Sequence, residues 1–151
     1  MIKFGKRFVL VVVLASVALV GLLACTALSR RAAVPPGTSL ISQSTLEQQY
    51  GLHVNLLAVT AAGGMVDLRL KVLDAVKAKL LLQDSKANPA LFVPGQGVTL
   101  TASEGSQAQE IALKNGGIIL FLFPNVRNAI KPGDPVTVTF GDLALEPIPA
   151  K

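Results

Sequence analysis

The chain has 151 residues, 51% of them hydrophobic and 15% charged, a balance that excludes intrinsic disorder and suits one domain behind a short leader. Its formal charge of +5 comes from Lys3, Lys6, Arg7, Arg30 and Arg31, which flank a single apolar run; without them nine cations face nine acids, so the concentrated cationic face of a nucleic-acid binder is missing. There is no Trp, one Tyr and one Cys, which leaves few base-stacking platforms and excludes an intrachain disulfide.

Phe8 to Leu28 carries no charge and is long enough to span a bilayer, which takes about 20 residues. A secretory apolar core is usually shorter, about 7–15 residues, so length favours a retained anchor. Lys3, Lys6 and Arg7 before the run outweigh Arg30 and Arg31 after it, which keeps the amino terminus in the cytoplasm and sends the domain out. A second reading starts from "LLAC", Leu22 to Cys25, which resembles a bacterial lipobox and makes Cys25 a candidate lipidation site. A third is removal of the leader after Ser29. The organisation expected is therefore a signal or transmembrane anchor over 1–29, an extended Pro/Gly linker over 30–43 and a domain over 44–151. Pro35, Pro36 and Gly37 give the linker its stretch and its slack.

Within the domain, "STLEQQYG" reads as a two-turn helix, with Ser44 and Glu47 at capping-box spacing and Gly51 as a left-handed stop. Val66, Leu68, Leu70 and Val72 alternate with Asp67, Arg69 and Lys71, which predicts a half-buried strand. Leu52 to Thr60 alternates less cleanly; a bulge or burial on both faces explains that. "AAGG", Ala61 to Gly64, joins the two as a hairpin pairing Thr60 with Met65. Asp74 caps a second short helix, with a strand over Ala78 to Leu82 as the other reading. Two short strands flank Gly95-Gln96-Gly97, a polar loop follows, and Glu110 to Lys114 reads as a weak strand. "IILFLF", Ile118 to Phe123, reads as a central strand covered on both faces. "PNVRNAIKPGDP" is a long crossing loop, and "VTVTF" points Val136, Val138 and Phe140 inward.

This rhythm of short strands predicts an all-β fold, an antiparallel immunoglobulin-like β-sandwich of about seven strands with one or two short helices; an open barrel is the other architecture it allows. "VTAAGGMVDLRLKVLD" together with "NAIKPGDPVTVTFGDLALEPI" resembles an uncharacterised group of exported, membrane-anchored bacterial proteins with a sandwich-like domain. The resemblance implies export to the cell envelope and this fold, and no activity.

The residues give little chemistry. His53 is the only histidine, no G-x-S-x-G occurs, and "AAGG" lacks the lysine and helix of a phosphate loop, so neither catalytic residues nor a cofactor are expected. His53 and Met65 fall at opposite ends of the hairpin, which argues against a soft-metal pair. Asp67, Asp142 and Glu146 are the carboxylates an envelope enzyme would have to bring together. The most polar connection, Asn125, Arg127, Asn128 and Lys131, is the candidate partner-binding loop. The expectation is a membrane-tethered, non-catalytic binding or scaffolding module with a protein partner. A small-ligand or metal carrier is the alternative, and an enzyme using surface carboxylates the third reading.

Overall fold

The computed structural model describes residues 34–83, 88–103 and 113–151. The apolar run, Cys25 and most of the expected strand at 110–114 lie outside the described residues; the two described positions of that strand, Leu113 and Lys114, are coil. Ala33–Lys151 makes one compact unit.

The described residues form nine strands and two helices: β1 (Ser39–Ile41), α1 (Gln43–Tyr50), β2 (Leu52–Thr60), β3 (Met65–Val72), α2 (Ala75–Leu82), β4 (Pro89–Val93), β5 (Val98–Thr101), β6 (Ile118–Pro124), β7 (Pro135–Phe140), β8 (Leu143–Leu145) and β9 (Ile148–Pro149). One sheet has the order β2-β3-β6; the other runs β1-β8-β7-β4-β5, with β9 beside β7. The sheets do not close into a barrel. Backbone bonds nevertheless join them at both margins. Ser103 N donates to Leu122 O at 3.0 Å, while Lys151 N donates to Leu57 O at 2.9 Å and Lys151 O accepts from Val59 N at 2.8 Å.

Two expectations about strands need correction. Ser39–Ile41, inside the stretch read as linker, forms β1 and pairs in parallel with β8, so the sandwich is not wholly antiparallel. Three residues are too short for a periodicity signal, and this strand owes its existence to the edge it covers. β6 is not a central strand covered on both faces. It is an edge of the three-stranded sheet: Ile119, Phe121 and Phe123 are buried, while Ile118 and Leu120 on the other face are exposed. An all-apolar run conceals this alternation.

The hairpin of β2 and β3 pairs Thr60 with Met65, and Leu52 with Val72. Between Val54 and Leu56 the register shifts, leaving Asn55 as an extra, exposed residue. This bulge changes the parity of the strand. Leu52 and Val54 sit opposite inward Val72 and Leu70 before it, Leu57 and Val59 opposite inward Leu68 and Val66 after it. The uneven hydrophobic pattern of β2 is the trace of that shift.

α1 begins two residues earlier than Ser44 suggests. Ser42 is the N-cap and accepts from Thr45 N at 3.2 Å, whereas Glu47 turns away to His53. Leu46 is fully buried and Tyr50 packs against the core. Gly51 ends the helix with φ 63°, and its carbonyl accepts from both Leu73 N (2.8 Å) and Asp74 N (3.1 Å). One left-handed residue thus fixes the exit of α1, the start of β2 and the approach to α2. A Cβ at this position would lie 2.6 Å from Asp74 O. Asp74 caps α2 by accepting from Val76 N and Lys77 N, and Asn115 Oδ1 accepts from Ala75 N at 2.8 Å.

The registers sort the connections into two ends. Gly51, the approach to α2 and the turn before β6 lie at the Leu52–Val72 end of the small sheet; Pro89 opposite Phe140, and Ser39 opposite Leu143, mark the same end of the large one. The chain therefore enters the domain at the end that carries α2. The Ala61–Gly64, Val93–Val98 and Asn125–Lys131 connections lie at the far end.

Gly51→Ala adds both left-handed strain and a backbone clash, and is expected to cost about 3 kcal/mol in urea denaturation. Gly37→Ala, where a Cβ meets open space, is the matched control for left-handed strain alone.

Candidate functional site

At the far end the three connections bind one another through named polar groups. Asn125 is buried, and its amide nitrogen donates to Gly63 O and Ile130 O, both at 2.8 Å. Its Oδ1 accepts from Ile130 N at 3.0 Å, and its own N–H donates to Gly64 O at 2.9 Å. Donors meet acceptors at every contact, so the amide has a single workable orientation. Gln96, from the β4–β5 turn, donates through Nε2 to Ala129 O at 2.8 Å.

The tip held this way is strained. Ala61, Ala62, Arg127 and Asn128 all have φ between 50° and 57°, and they are the only non-glycine residues in the left-handed region among those described. The hairpin glycines were the expected carriers of positive φ. Gly63 does adopt it, but Gly64 does not, and two alanines do. Each left-handed alanine costs about 1 kcal/mol, and such strain persists only where surrounding contacts over-determine it. Here Asn125 supplies those contacts. The result is a rigid surface of Ala61, Ala62, Val126, Arg127 and Asn128, all exposed.

The four residues of the candidate loop thus divide by role. Asn125 is a positioning residue and does not face solvent. Arg127, Asn128 and Lys131 are exposed, with Lys131 N donating to Asp134 Oδ2 at 2.8 Å in a local turn. The Ala61-Ala62 and Gln96 contributions were invisible in the sequence, because nothing in "AAGG" or "PGQG" marks which neighbour it meets.

The remaining candidates are dispersed. His53 Nδ1 lies 2.8 Å from Glu47 Oε1 and pairs in register with Lys71, so Met65 is six β3 residues away, about 20 Å along the strand. Among the described residues no group of three or more His, Cys, Asp or Glu is placed to hold a metal. Asp67 is 7% exposed rather than freely solvated, and Arg69 grips it through Nε (3.0 Å) and Nη2 (2.7 Å). The Asp67 carboxylate in turn raises the pKa of the Arg69 guanidinium above its ordinary value. Asp67 belongs to the small sheet, whereas Asp142 and Glu146 flank β8 of the large one. A strand of this length separates the last two by about 13 Å, beyond the spacing of a paired acid and base. A cavity of about 220 Å³, lined by Asn88, Pro89, Ala90, Thr101, Ala102 and Phe121, is smaller than the roughly 300 Å³ at which small-molecule sites begin.

Compared with known protein families, curated proteins and solved structures, the chain finds no match.

Asn125→Ala leaves the buried N–H and C=O of Ile130 without partners and is expected to cost about 2–3 kcal/mol in denaturant unfolding. Asn125→Asp, which turns an oxygen toward two carbonyls, should cost at least as much. The hydrogen bond from His53 lowers the pKa of Glu47 below its ordinary value. Its stabilising contribution is therefore present above the unfolded-state pKa and lost as pH falls through the lowered folded one. In His53→Ala, carboxyl-detected NMR should show the Glu47 midpoint moving up.

Proposed function

We propose that this protein is a membrane-tethered, extracytoplasmic binding or scaffolding module of the bacterial cell envelope, non-catalytic, that recognises a protein partner with its strained tip. The single observation behind this reading is the buried amide of Asn125, which clamps exposed Arg127 and Asn128 into left-handed backbone beside Ala61 and Ala62. A preorganised surface loses little conformational entropy on binding. The tether rests on the uncharged Phe8–Leu28 run, or on Cys25 as a lipidated residue. Among the described residues no helix is long and apolar enough to cross a membrane, and the run itself lies outside them.

The finer architecture we assign is immunoglobulin-like. Its support is the path of the chain, which crosses between sheets after β3, after β5 and after β6, the alternation of an immunoglobulin-type Greek key. β1 is an addition to that plan, paired on the outside of β8.

The test is photocrosslinking of the full chain in its native membranes, with a photoreactive residue at Arg127 or Asn128 and a control at exposed Thr99 on the large sheet. The same discrete adduct from both tip positions, and none from Thr99, is the expected result. No adduct at the tip, or fractionation of the full chain with soluble cytosolic protein, overturns the reading.

A further inference from the structure

α2 carries apolar side chains on two sides. Its inner side buries Ala78 and packs Leu81 and Leu82 against the core. On the outer side Val76 and Leu80, neighbours at i and i+4, are each 73% exposed, with Leu73 exposed at the helix entrance. These are the two most exposed large apolar side chains among the described residues. The charges around them are predominantly of one sign. Lys79 lies in the last turn of α2, Lys71 pairs in register with Ile118, and Lys114 belongs to the turn whose Asn115 caps the helix. Among the described residues none of these three lysines makes an ion pair. Lys77 reaches Gln48 O, and the helix's own acid, Asp74, serves as its cap. Of the other described acids at this end, Glu47 is bonded to His53, and Asp142 stands at the chain entry.

Position adds a second argument. The chain enters at the same end of the sandwich as α2: Ser39 N donates to Asp142 O in the β7–β8 turn, and Pro89, the first strand residue after α2, pairs with Phe140 of the same turn. From Ser29 to Ser39 a fully extended chain reaches at most about 35 Å. A tether of that length lets the entry end, which it adjoins, reach the bilayer. Exposed aliphatic side chains with lysines on the same helix and the adjoining segments match an anionic lipid interface, where apolar groups enter the acyl boundary and ammonium groups stay among the phosphates.

We propose that α2 is a bilayer-contacting helix: Val76 and Leu80 rest in the interface of an anionic membrane, held by Lys71, Lys79 and Lys114, so that the domain stands on its entry end with the Asn125 tip facing away. The proposal rests on the membrane tether of the preceding reading. The length of β3 places the tip about 25 Å beyond the helix.

The chain has no Trp, so Leu80→Trp and Val126→Trp each give one reporter, near α2 and at the tip. The full chain is reconstituted in vesicles of phosphatidylglycerol and brominated phosphatidylcholine, then floated on a gradient. The expected result is flotation of both variants, with a blue-shifted, bromine-quenched emission for Leu80→Trp and neither change for Val126→Trp. Adding Lys79→Gln to Leu80→Trp should lower the docked-to-undocked ratio about fivefold, as should replacing phosphatidylglycerol by phosphatidylcholine in part. Flotation without quenching at Leu80→Trp overturns the docking and leaves the tether standing. A blue shift without quenching overturns it in favour of a protein covering α2. Failure to float overturns the tether and the docking together.

Discussion

The domain depends on one apolar layer, and the inward face of β3 is its spine. Val66, Leu68, Leu70 and Val72 are almost wholly buried, in the middle strand of the three-stranded sheet, and share a continuous cluster with Leu91, Val138 and Phe140 of the other sheet. Each such side chain contributes about 1.5–3 kcal/mol by leaving water. With a single cysteine in the chain, no intrachain disulfide can substitute for that layer. The bulge at Asn55 and the buried face of β6 both serve it. Each keeps a neighbouring strand's apolar residues on the side that β3 dictates.

What was legible in the sequence follows from how far each signal travels. β3 and β7 were plain because their alternation is strict and local. The helix stop at Gly51 and the cap at Asp74 were also plain, because caps are written within a few residues. β1 was hidden since its three residues have no pattern of their own and are defined by the β8 edge. "IILFLF" concealed an exposed face because apolar residues stand on both sides of it. The Ser42 cap displaced Ser44 because three adjacent hydroxyls compete there: the Ser42 Oγ lies 2.8 Å from Ser44 Oγ and 3.0 Å from Thr45 Oγ1. For the candidate site, the sequence marked the right loop but not the role of its residues. Burial of Asn125 depends on Gly63, more than sixty positions upstream, and no local rule reaches that far.

The two ends of the sandwich are stabilised by different means. At the entry end, helix caps and the left-handed Gly51 settle the backbone with little strain, since a glycine bears the unusual angle. At the far end four residues with side chains bear it, and a buried amide holds them. A backbone that could have used glycine at Ala62 or Asn128 would be looser in the unfolded and folded states alike. Side chains at those positions cost strain and return rigidity, which is what the proposed recognition surface would use.

The carboxylates carry the same division of labour to the level of charge. Asp67 is gripped by Arg69, Asp74 caps α2, Asp134 accepts from Lys131 N and Glu47 is bonded to His53. These acids act within the fold. The tip, by contrast, presents the Arg127 guanidinium, the Asn128 amide and the Lys131 ammonium, with Val126 exposed between strand and turn. A guanidinium beside an amide and an aliphatic side chain is a surface for carboxylates and backbone carbonyls, which proteins display in abundance. The partner recognition proposed for this tip asks that such groups be held still, and the bonds around Asn125 hold the backbone that carries them.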